Sequence, residues 1–114
     1  MPRLSTHVLD LVSGQPARGV RIDLDRVTAD GARHLVVTTI TNADGRTDAP
    51  LMADSAFMTG TYELSFHIGA YFAARHHAGF LDVVPLRFTI NEPEGNYHVP
   101  LLATPWSYST YRGS

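Results

Sequence analysis

The chain has 114 residues, nine Lys+Arg against eleven Asp+Glu, and no cysteine. That length suits a single domain, 1–114, with a core of its own. The near-balanced charge leaves no basic patch for nucleic acid, and the missing cysteines exclude disulfides, thiolate nucleophiles and cysteine-based metal sites.

Short strands with turns between them fill the chain. "LSTHVLDLV" (4–12) reads as the first strand, and "SGQPARG" is a turn cluster. "VRIDLDRVT" (20–28) alternates apolar Val20, Ile22 and Leu24 with polar Arg21, Asp23 and Asp25, the pattern of a half-buried strand. An Asp-Gly turn leads into β-branched "HLVVTTITN" (34–42), and a second Asp-Gly turn precedes Arg46. "GTYELSFHI" (60–68) alternates again. "AYFAARHHA" (70–78) is the one helical stretch, with Gly79 as its expected stop. "VPLRFTIN" (84–91), "YHVPLLAT" (97–104) and "SYSTYR" (107–112) complete seven or eight strands and predict an all-β sandwich. Pro100, with no N–H to donate, predicts an edge or a bulge near His98.

Alternation places Thr6 and Val8 on one face of the first strand and His7 and Leu9 on the other. It likewise separates Tyr97, Val99 and Leu101 from His98, Pro100 and Leu102. The two histidine-bearing faces mix polar and apolar groups, as expected of a surface that a ligand or a subunit covers. Taken alone, His7 and His98 read first as hydrogen-bonded strand histidines, and Arg46 as a solvated loop residue. His34, His67, His76 and His77 show nothing that marks a site. No zinc-ligand spacing, nucleophile elbow or phosphate loop occurs, so no metal and no organic cofactor are expected. An enzyme built from this inventory would rely on imidazole and guanidinium groups, suited to activating water and holding an oxyanion. No apolar run approaches the roughly 20 residues of a membrane span, and the start lacks a signal-peptide h-region, so a cytoplasmic protein is expected.

Two long stretches resemble the signatures of the transthyretin-like family: "HVLDLVSGQPARGVRI" near the start and "YHVPLLATPWSYS" near the end. Between them, "GTYELSFHIGAYFA" resembles the family's passage from strand to short helix. One branch of the family carries thyroid hormone, and the other hydrolyses 5-hydroxyisourate, an oxidised purine. His7 in place of the carrier's lysine, Arg46, His98 and the terminal "YRGS" (Tyr111, Arg112, Gly113 and Ser114) all match the hydrolase branch. Ala103-Thr104, where the family more often has Leu-Ser, is a conservative departure. The resemblance implies an eight-stranded transthyretin-like (prealbumin-like) β-sandwich with one short helix, assembled as a homotetramer, a dimer of dimers around a channel. It implies His7, Arg46 and His98 as catalytic residues. Tyr111, Arg112, Gly113 and Ser114 would join His7 and Arg46 in binding substrate. The alternative it leaves is a small-ligand carrier without catalysis.

Overall fold

A computed structural model describes residues 1–77 and 79–113. Its strands are β1 (Arg3–Asp10), β2 (Gln15–Pro16), β3 (Arg21–Val27), β4 (Arg33–Ile40), β5 (Met52–Ala53), β6 (Gly60–His67), β7 (Val83–Ile90), β8 (Asn96–Ala103) and β9 (Tyr108–Thr110). One helix, α1 (Ile68–Ala73), follows β6. The strands form two sheets, ordered β2-β1-β8-β9 (with β5 also on β1) and β4-β3-β6-β7. The expected sandwich is thus present. Two-residue β2 and β5 are additions, too short for any alternation to show in the sequence.

Burial alternates at period two along β1, β3 and β7, and their buried sides meet those of β6 and β8 between the sheets. Leu4, Val8, Ile22, Leu24, Leu64, Phe66 and Leu101 are fully buried there. Thr6 is polar on the same side, and its hydroxyl donates to the Val99 carbonyl at 2.7 Å. Asp10, at the end of β1, ties the first sheet to α1. It accepts from the Tyr71 hydroxyl at 2.8 Å and from the Val12 and Ser13 amides at 2.8 and 3.1 Å. Burial alone would raise the Asp10 pKa, but these bonds together hold it below its ordinary value. Burial and the neighbouring carboxylate push the Tyr71 hydroxyl up to about 12.

Two local expectations need correction. The helix stops at Ala73, well before Gly79. His76 itself takes the left-handed conformation at φ 62°, while its amide bonds to Ala73 and the His77 amide to Phe72. That is a Schellman-type ending with histidine where glycine is usual. Ala78, the last residue of the expected helix, lies outside the described residues. Pro100, in turn, marks no sheet edge. It lies within β8, which has β1 on one side and β9 on the other. The missing N–H falls on the β9 side, because His98, two residues earlier, accepts there from the Gly113 amide at 2.7 Å. Regular pairing with β9 accordingly covers only Leu101, Leu102 and Ala103, and contact resumes at the isolated pair His98 and Gly113. The Pro100 carbonyl is used, accepting from the Thr110 hydroxyl at 2.7 Å. No helix among the described residues is long and apolar enough to cross a membrane.

Candidate active site

β1 and β8 run parallel, with Arg3 opposite Asn96, Ser5 opposite His98 and His7 opposite Pro100. Since Thr6, Val8, Tyr97 and Val99 face the core, Arg3, Ser5, His7, Asn96 and His98 share the outer face. The His7 and His98 rings stand 6.4 Å apart, centroid to centroid, tilted by 32°. The Ser5 hydroxyl lies 2.8 Å from His98 Nδ1.

Arg46 arrives from a turn that the backbone binds to β1. The Val8 amide donates to the Gly45 carbonyl at 2.8 Å, and the Asn42 amide to the Arg46 carbonyl at 2.8 Å. The Asn42 side chain accepts from the Asp44 and Arg46 amides at 2.9 and 3.2 Å. Gly45 adopts φ 74°, and a Cβ there would sit 2.5 Å from the Val8 carbonyl oxygen. Only glycine meets both demands. The Arg46 guanidinium is exposed and, among the described residues, has no carboxylate partner. With Arg3, Ser5, Asn96, Tyr97 and His98 it lines an open polar pocket of about 240 Å³.

Electrostatics follow from this company. Burial and then the Arg46 charge lower the His7 pKa from its ordinary value, against smaller opposing effects of the Asp44 backbone and carboxylate. Burial, Arg46, His7 and Arg3, in that order, lower the pKa of His98. Both rings are therefore neutral near pH 7 and able to accept a proton. Among the described residues no three His, Asp or Glu side chains stand close enough to hold a metal ion.

The chain end reaches the same place. Gly113 lies so close to His98 that a Cβ on it would be 2.7 Å from His98 Cδ2. Arg112 and Tyr111 border a neighbouring apolar groove, which Leu86, Phe88, Tyr97 and Val99 also line. The Arg112 guanidinium lies 4.3 Å from the Tyr97 ring centroid, a cation–π contact. Ser114 lies outside the described residues. The fold thus gathers His7, Arg46, His98 and Gly113, and sets Tyr111 and Arg112 at the adjoining groove. Sequence reasoning missed Arg3, Ser5 and Asn96. Ser5 and Asn96 each stand two residues before a candidate histidine on its own face, but nothing local marks them or Arg3 until the pairing of β1 with β8 is known. The other histidines stand apart from the pocket: His67 pairs with Asp23 at 3.0 Å, and His34 and His76 are exposed.

Fold and site define a two-sheet β-sandwich protein that carries its ionisable chemistry on the outer face of one sheet. The family model described as HIUase/Transthyretin family matches residues 4–113, and the chain belongs to that family. It is 57% identical over 116 residues to the 5-hydroxyisourate hydrolase of Deinococcus radiodurans, covering 99% of this chain and 97% of the relative. The crystal structure of (S)-allantoin synthase superposes with a TM-score of 0.92 at 44% identity; the match covers 99% of this chain and 44% of that one. Sea bream transthyretin in complex with thyroxine gives a TM-score of 0.90 at 32% identity, covering 97% and 94%. Hydrolase and carrier are thus nearly alike in backbone, and the side chains of the site must distinguish them.

The contact between Gly113 and His98 is directly testable. Gly113→Ala should push the His98 ring aside and cost about 1–3 kcal/mol, the range for overpacking. Imidazole resonances of His98 should move while those of exposed His34 and His76 stay. Unmoved His98 resonances would mean that the chain end does not press on the ring.

Proposed function

We propose that this protein is a 5-hydroxyisourate hydrolase, with His7, Arg46 and His98 as its catalytic residues. The observation that carries the reading is an unpaired guanidinium and the His98 imidazole lining one polar pocket, with the His7 ring 6.4 Å from that of His98, in a chain of this family. A bulky apolar ligand of the thyroxine kind would have to strip water from these groups without pairing them, which is costly.

The reaction opens the six-membered ring of the substrate at an acyl–nitrogen bond. Water loses a proton to one imidazole, and its oxygen bonds to the acyl carbon. The carbonyl electrons move onto oxygen, where a guanidinium is suited to hold the charge. When the carbon–nitrogen bond breaks, the leaving nitrogen takes a proton from an imidazolium. No cofactor enters this sequence. Tyr111, Arg112, Gly113 and Ser114 complete the substrate pocket in this reading, with Gly113 backing the His98 ring and Tyr111 orienting the substrate.

The same reading includes a homotetramer. β7 ends one sheet and β9 ends the other, each paired on one side only. The groove of about 390 Å³ near these edges is lined largely by apolar side chains. Leu11, Val12, Phe80 and Trp106 are exposed elsewhere. Free edges and uncovered apolar groups are what a second copy would bury. Light scattering at micromolar concentration should return four chains; a fully active monomer would remove the subunits from the account of the site.

His7→Ala, Arg46→Ala and His98→Ala should each lower turnover of freshly generated 5-hydroxyisourate by roughly 10²-fold or more, the scale of losing a general base or an oxyanion donor. Ultraviolet absorbance follows the ring opening. His76→Ala and His77→Ala are the controls, and equal losses there would put the site elsewhere.

The histidine shifts also set a pH profile. Lowered pKa values keep both rings in their proton-accepting form below the usual histidine range. The acid limb of kcat/KM should accordingly have its midpoint under pH ~6.5, the unperturbed value. A midpoint above that would contradict the neutral-imidazole site. Stability has the same sign: the unfolded chain binds the extra protons first, so acidification from about pH 6.5 toward the folded pKa values weakens the fold.

A further inference from the structure

We infer that Ser5 is a positioning residue for this reaction: its hydroxyl accepts the Nδ1–H of His98 and so turns the lone pair of Nε2 toward the substrate. The inference rests on the hydrolase reading and deepens it, because it assigns the proton-accepting histidine.

Strand register brings the two groups together. The parallel pairing puts Ser5 directly opposite His98 across two adjacent strands, and the hydroxyl lies 2.8 Å from Nδ1. A neutral imidazole carries one N–H and one lone pair, and the partner of one nitrogen fixes what the other can do. A serine hydroxyl can serve either tautomer, so the remaining surroundings decide. Arg3 and Arg46 line the pocket with His98. Guanidinium groups only donate. A lone pair facing these cations is favoured; an N–H aimed at them is not. The proton of the neutral ring therefore belongs on Nδ1, where the Ser5 oxygen accepts it, and Nε2 is left free.

This arrangement suits a base. When Nε2 takes the proton of water, the O–H bond breaks, its electron pair stays on the oxygen that bonds to the acyl carbon, and the ring becomes imidazolium. Nδ1–H already points at an acceptor, so the ring does not have to turn. The bond to Ser5 strengthens as the donor gains charge. Ser5 touches only the ring in this scheme, which separates its role from that of a substrate contact.

The test compares native protein with Ser5→Ala and Ser5→Thr, using turnover of 5-hydroxyisourate and the nitrogen resonances of His98 in labelled protein. Native His98 should be protonated at Nδ1 in its neutral form. Ser5→Ala should lose that preference and lower kcat roughly tenfold, the scale of one hydrogen bond to a group that becomes charged, with little change in KM. Ser5→Thr, which keeps the hydroxyl, should restore both properties relative to alanine. If Ser5→Ala does not assemble, Ser5→Cys serves in its place as a near-isosteric, weaker partner. A native Nε2–H tautomer would overturn the inference, and so would native turnover in Ser5→Ala. A loss confined to KM would also overturn it, making Ser5 a substrate contact. If the native protein fails to open 5-hydroxyisourate, the hydrolase reading falls, while the tautomer measurement still decides the role of Ser5.

Discussion

The parallel pairing of β1 with β8 is the constraint on which the rest depends. It joins residues 93 apart in sequence, as the Thr6–Val99 bond shows, whereas the other strand pairs are antiparallel. Closing so long a connection costs entropy, and burial has to offset it. Leu4, Val8 and Leu101 are fully buried, and Tyr97 and Val99 nearly so. Because side chains alternate, a slip of one residue in either strand would carry its apolar set to the wrong face. The buried Thr6 hydroxyl adds a directional lock to this, since it reaches the Val99 carbonyl only in one register. Once that register is fixed, Ser5 meets His98 and the two histidines come together with no further cost in backbone order.

Two glycines bring the remaining chemistry in. Gly45 lets the turn before Arg46 lie flat on β1, with its carbonyl bonded to Val8. Gly113 lets the chain end pass across the His98 ring. Both act by lacking a side chain where backbone or ring must approach closely. Proline contributes from the other direction. Pro100 denies β9 a bond, the regular ladder gives way beyond Thr110, and the chain is released before Gly113 meets His98. Gly113 is therefore held by a specific contact beyond the end of the regular ladder.

Much of this was legible in the sequence, and the boundary has physical reasons. Strand alternation grouped the residues of β1 and β8 into the two faces the fold uses, and burial then showed which is the core. The residue types alone left His7, His98 and Arg46 with two readings, and only the family resemblance favoured the catalytic one. Ser5 stayed hidden because a serine two positions before a histidine means nothing until the partner strand is known, and a parallel partner 93 residues away leaves no local trace. The helix end was misjudged because Gly79 offered the usual stop signal, yet Ile68, Tyr71 and Phe72 were already buried. Packing, not propensity, set the length of α1, and His76 took the left-handed position that glycine normally fills.

The division between core and outer face also explains how one sandwich serves different chemistries. Ser5, His7 and His98 are only half-buried, and Arg3, Arg46 and Asn96 are exposed. None belongs to the cluster of buried apolar residues that holds the sheets together. Exchanging them costs little packing, so they are free to be selected for the charge and proton chemistry of a ligand. Their electrostatic coupling is less forgiving: Arg46 sits where it lowers the pKa of both histidines. Replacing the guanidinium by a neutral group removes the positive charge from the pocket and, in the same step, makes the two imidazoles easier to protonate. The site therefore behaves as a coupled set, in which the loss of Arg46 changes the protonation of both histidines.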